Sequence, residues 1–123
     1  MKRLIALRGA TCCRNDTDDI AARVVALYDE LLARNQLCEP DIVSLIFSVT
    51  RDLDAMNPAA ALRHAGRAGN LALFAVQEAE VRDSRLERTL RVLMHCYMDD
   101  ELMPCHVYQN GAEILRPDRS KNT

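Results

Sequence analysis

Tryptophan is absent from this chain of 123 residues, which carries only two phenylalanines and three tyrosines. A core built around large aromatic rings is therefore excluded, and alanine, leucine and valine must fill the interior. Such an interior is lean, and burial against further copies of the chain would supplement it, so an oligomer is expected. Lysine is scarce as well. Lys2 and Lys121 are the only two among 16 basic residues, the rest being arginine. No lysine-arginine run stands out and the net charge is −2, which argues against a nucleic-acid partner. What the chain has instead is planar guanidinium forks suited to carboxylates.

No stretch approaches a membrane span, and no membrane partner is expected. The apolar start of "MKRLIAL" is broken by Arg8 after about four residues, too short for the apolar region of a secretory leader. The five cysteines, Cys12, Cys13, Cys38, Cys96 and Cys105, form no CxxC pair. Their odd number and the Cys12-Cys13 adjacency make a poor disulfide framework, so reduced thiols and a cytoplasmic location are expected. No internal repeat, low-complexity segment or interior linker occurs. With 49% apolar residues, the chain reads as one domain over 1–118 with a polar tail over 119–123.

Residues 2–9 read as a strand. Asp16-Thr17-Asp18-Asp19 places capping oxygens and negative charge at a helix start, and Ile20, Val24, Leu27 and Leu31 follow at helical spacing up to Asn35. The branched residues of "DIVSLIFSVT" (41–50) predict a second strand. Asn57-Pro58 begins a second helix that should stop near Gly66 or Gly69, and 71–77 reads as a third strand. The stretch 84–97 fits either a helix or a long strand. As a strand it would put Thr89, Arg91, Leu93, His95 and Tyr97 on one face and Leu90, Val92, Met94 and Cys96 on the other. Asn110-Gly111 predicts a tight hairpin between two short strands. The expected fold class is α/β, a mixed sheet with two helices on one face.

The chemistry-bearing residues gather near predicted strand ends: Arg8, Glu78, Arg91 and Tyr108, with Arg63 and Arg116 nearby. Four cations, one carboxylate and one phenol, with no nucleophile among them, suit a site that grips an anion. Taken singly, Arg8 and Glu78 also read as solvated strand ends and Tyr108 as core. Arg91, set among Leu90, Val92 and Leu93, needs a wet or paired face. A buried guanidinium is costly unless an anion meets it. No metal site is expected. His95-Cys96 and Cys105-His106 are neighbours whose side chains would leave a strand on opposite faces, so the four cannot converge on zinc.

"LRGAT", "VQEAEV", "LRVLM" and "HVYQNGAEILRPD" occur in the order and at the distances of the AroH-type chorismate mutases, and the chain resembles that family over residues 3–118. The resemblance implies a pseudo-α/β-barrel homotrimer with active sites at subunit interfaces. It implies conversion of chorismate to prephenate by an intramolecular Claisen rearrangement, in aromatic amino-acid biosynthesis, with no cofactor. It assigns Arg91 to the ether oxygen, Arg8 and Tyr108 to carboxylates, Glu78 to the ring hydroxyl, and Arg63 and Arg116 to the mouth. Asn57, Ala59, Phe74, Ala75 and Leu115 would complete the lining, and Gly9 would keep the backbone clear of the substrate. Asn57 stands where the family usually has phenylalanine, Ala60 where lysine is common, and Ala75 where cysteine is usual. These changes thin the wall and remove a cation. The alternative is a trimeric binder of small carboxylates, or a low-activity paralogue, similar to the imine-deaminase proteins.

Overall fold

The computed structural model describes residues 1–84 and 86–115. The chain runs β1 (Lys2–Cys12), α1 (Thr17–Arg34), β2 (Ile42–Val49), α2 (Pro58–His64), β3 (Ala72–Gln77), β4 (Thr89–Asp99) and β5 (Val107–Gln109). Short 3-10 turns at Glu39–Asp41 and Ala112–Leu115 complete it. The strands form one mixed sheet in the order β3-β2-β4-β1-β5. β4 runs antiparallel to both β1 and β2, whereas β3 and β5 join their neighbours in parallel. The α/β expectation is met.

The helices begin where side-chain oxygens can take orphan amides. Asp16 accepts from the Asp19 N–H at 2.7 Å, and this bond holds its carboxyl below the usual carboxylate range. Asn57 Oδ1 accepts from the amides of Ala59 and Ala60 behind Pro58 in the first turn. α2 ends at Ala65, and Gly66 follows with φ +80°, the left-handed conformation that suits glycine. α1 turns Ile20, Val24, Leu27 and Leu31 into the core, and α2 contributes Ala61 and Leu62. They meet Leu7, Leu45, Phe47, Leu90, Met94 and Cys96 from the sheet, all nearly without solvent exposure.

Strand alternation sorts β4. Leu90, Val92, Met94 and Cys96 are buried beneath the helices, while Arg91, Leu93, His95 and Tyr97 stand on the opposite, more open face. Of the ambiguous stretch 84–97, residues 89–97 are therefore strand, held on both sides by β1 and β2. Adjacent His95 and Cys96 part accordingly: the His95 ring pairs with Ser44 Oγ at 3.0 Å and Cys96 lies in the core. Burial pushes the thiols of Cys13 and Cys96 up to about 11, helped at Cys13 by the Asp19 charge, so both stay protonated near neutrality. All five cysteines are free.

Three expectations are corrected. β1 continues through Ala10, Thr11 and Cys12, because these pair with β4 on one side and, at Ala10 and Thr11, with β5 on the other. Arg8 thus lies within the strand instead of ending it. The Asn110-Gly111 turn forms, with φ of 55° and 97°, but no hairpin follows. β5 pairs in parallel with β1, Asn110 is tied to Thr11 and Arg23, and the chain leaves the turn as the 3-10 segment. Gly9 serves the other face of the sheet. A Cβ there would lie 3.0 Å from Val92 Cγ1 and 3.1 Å from the Cδ1 atoms of Leu27 and Leu31. The glycine lets α1 settle on the sheet. Gly9→Ala is expected to cost about 1–3 kcal/mol by overpacking, read as a lower urea midpoint at unchanged slope; an unchanged midpoint would show that the helix yields freely.

Candidate active site

The face of the sheet away from the helices carries the site. Pairing registers put Val76, Ser48, Arg91, Ala10 and Tyr108 in one row across all five strands. The next row holds Phe74, Ile46, Leu93 and Arg8. Arg8 and Arg91 are therefore diagonal neighbours on adjacent strands, close enough for long side chains to share one ligand. Ala10, short and buried, leaves a gap between Arg91 and Tyr108.

A cavity of about 470 Å³ opens over these rows, lined by Arg8, Arg91, Glu78, Tyr108 and Leu115 among others. That is the size of a small-molecule site. Glu78 directly follows β3, where its amide donates to Val49 O at 2.8 Å, continuing the ladder by one residue. Its Oε1 accepts from Ser48 Oγ at 2.8 Å and lies 3.4 Å from Arg91 Nε. The Arg91 Nε is buried and makes no hydrogen bond among the described residues, the Glu78 contact being an ion pair. The outer nitrogens of Arg91 have no partner among the described residues. The exposed guanidinium of Arg8 has none there either. Tyr108 Oη is buried without a partner among the described residues. Unpartnered buried donors such as Arg91 Nε and Tyr108 Oη are costly, and together with the open guanidinium of Arg8 they suit a ligand that brings acceptors.

The rest of the shell holds these groups in place. The Arg8 amide donates to His106 Nδ1 at 2.9 Å, which assigns the neutral ring's proton to Nε2. Buried Asn35 donates to the carbonyls of Leu31 and Cys105 and accepts from the Cys105 amide at 2.7 Å. That clamp fixes the approach to β5, a strand of three residues, and so the position of Tyr108.

Of the residues expected at the site, Arg8, Glu78, Arg91, Tyr108 and Leu115 come together. Asn57 and Ala75 line a different hollow of about 340 Å³. Ala59 is buried in the core, Arg63 is exposed on α2, and Phe74 is 65% exposed on the open face. Arg116 lies outside the described residues, as do the tail over 119–123 and the end of the 1–118 domain. Ser48, His106 and Asn35 were missed as supports, because their partners lie 30 or more residues away in sequence.

Fold and site together define a small mixed α/β protein whose open sheet face carries the guanidinium groups of Arg8 and Arg91, a carboxylate and a phenol, a set suited to a compact anion. Residues 4–119 match the family described as chorismate mutase type I. The chain belongs to this family. It is 32% identical over 123 residues to the chorismate mutase AroH of Bacillus subtilis (strain 168), covering 95% of this chain and 94% of that protein. The solved structure of the chorismate mutase from Clostridium thermocellum superposes with a TM-score of 0.80 at 42% identity, covering 89% of this chain and 98% of that one.

Proposed function

We propose that the cavity rearranges chorismate to prephenate in aromatic amino-acid biosynthesis. The observation that carries this reading is the convergence of Arg8, Arg91, Glu78 and Tyr108 in one cavity, with cationic and phenolic donors left without hydrogen-bond partners among the described residues. Chorismate is a dicarboxylate whose enolpyruvyl arm must fold over its ring. One C–O bond breaks as one C–C bond forms, within a single molecule, so neither a nucleophile nor an electron carrier is required. Negative charge gathers on the ether oxygen while positive charge spreads over the ring.

Arg91 has its Nε beside Glu78 and its outer nitrogens free, and we assign those nitrogens to the ether oxygen. A fixed cation there stabilises the transition state more than the ground state. Arg8 takes a carboxylate with its fork, and Tyr108 donates to a carboxylate. Glu78 accepts from the ring hydroxyl and faces the developing positive charge. Holding the folded conformer supplies the remainder.

The active species we propose is a homotrimer. Leu4, Ile46, Phe74, Val76 and Tyr97 are between 36% and 65% exposed on the face that carries the cavity, an apolar patch that suits subunit contact. The division of the lining residues supports the same assembly. Asn57, Arg63, Phe74 and Ala75 lie on or beside α2 and β3, outside the cavity of their own chain, and would wall the cavity of a neighbour, whereas Ala59 is buried in the core. Arg116 would add charge at the mouth. Among the described residues no helix is long and apolar enough to cross a membrane.

Tyr108→Phe tests the phenol separately from the fold. Removing an unsatisfied buried hydroxyl should leave the melting temperature equal or higher, whereas KM for chorismate should rise about tenfold with loss of one hydrogen bond to a charged group. A lower melting temperature with normal KM would assign Tyr108 to packing. The reaction itself is tested by following chorismate absorbance and prephenate formation with the purified chain.

A further inference from the structure

We infer that Ser48 is a positioning residue for the reaction, acting through Glu78. The inference deepens the mutase reading and rests on it. Glu78 leaves the sheet at the end of β3, with its backbone anchored, among the described residues, through the Glu78 N–H to Val49 O bond. A side chain with three rotatable bonds at such an edge has many positions available. Two contacts select one of them: Ser48 Oγ at 2.8 Å and Arg91 Nε at 3.4 Å, both on Oε1. The Arg91 contact lacks hydrogen-bond geometry, so Ser48 supplies the directional one.

This divides the carboxylate into two unlike oxygens. Oε1 is committed to the protein, while Oε2 has no hydrogen bond among the described residues and is the one left to accept from the ring hydroxyl. The same contact sets Arg91. A carboxylate held at its Nε side favours the rotamer in which the outer nitrogens face the cavity. Ser48 can do this because it shares a row with Arg91 on the open face, in direct register across β2 and β4. Its neighbours along β2, Phe47 and Val49, belong to the helix-covered face. A serine hydroxyl reaches Glu78 from this position without entering the space above Arg91.

Kinetics and crystallography of Ser48→Ala and Ser48→Thr test the assignment. Ser48→Ala is expected to lower kcat for chorismate about tenfold, the scale of one hydrogen bond to an ionised group, with KM within about twofold and the melting temperature unchanged. Ser48→Thr keeps the hydroxyl on a strand that accepts β-branched residues and should restore most of kcat. The crystal structure of Ser48→Ala should show the Glu78 carboxylate turned away from Arg91. Full kcat in Ser48→Ala, failure of threonine to rescue, or an unmoved Glu78 would each overturn the proposal. If the unmodified chain does not turn over chorismate, the mutase reading fails by itself, and the position of Glu78 in the two crystal structures still decides whether Ser48 holds it.

Discussion

Arg91→Ala should lower kcat for chorismate by about a thousandfold or more, since losing one preorganised donor to a developing oxyanion already costs 10²–10³ and here a full charge goes with it. Folding should survive the change, because Arg91 stands on the open face and its side chain is 41% exposed. Arg91→Lys separates charge from geometry. A lysine restores a cation, but as a flexible point charge without the planar pair of outer donors. It also loses the Nε atom that lies against Glu78. Arg91→Lys is therefore expected to remain at least a hundredfold below the unmodified chain in kcat. Steady-state rates at saturating chorismate give the answer, and near-normal turnover by the lysine variant would remove Arg91 from the ether oxygen.

The second large effect concerns assembly. Asn57, Arg63, Phe74 and Ala75 of the expected lining sit outside the cavity of their own chain. Leu4 and Tyr97 face each other across β1 and β4 on the open face, beyond the row that carries Arg8. Leu4→Asp would force a carboxylate into a subunit contact several times over, once per chain, and a desolvated unpaired charge is strongly unfavourable. The variant should be monomeric by light scattering and should lose turnover to near the uncatalysed rate, although every residue of its own cavity is intact. Dilution of the unmodified chain should lower activity per chain in step with loss of the trimer. A fully active monomer would show that one chain suffices.

Much of this organisation could be read from local chemistry. The helix starts at Asp16 and Asn57 were visible because a capping oxygen acts on amides two or three residues away. β2 was visible because branched residues cluster there, and β3 as a short apolar run. β4 was ambiguous for the opposite reason: its leucines, methionines and arginine suit a helix, and only pairing on both edges makes it a strand. The hairpin at Asn110-Gly111 misled because the turn chemistry was right while the next segment had a different place to go. Gly9 misled because a glycine beside Arg8 suggested clearance for a ligand, whereas its missing Cβ makes room for Leu27 and Leu31. The site was legible at Arg8, Glu78, Arg91 and Tyr108 through family resemblance. Ser48 shows the limit. Its significance follows from the register that sets it opposite Arg91, and nothing in "LIFSVT" announces that register.

The alternative of a carboxylate binder without turnover makes one assay decisive. Purified chain should be mixed with chorismate, and the loss of its absorbance followed alongside direct detection of prephenate. The account predicts one prephenate formed for each chorismate lost, at a rate proportional to trimer concentration. Chorismate that raises the melting temperature of the protein yet remains intact would contradict it, since the same guanidinium groups would then be holding the molecule without favouring its rearrangement.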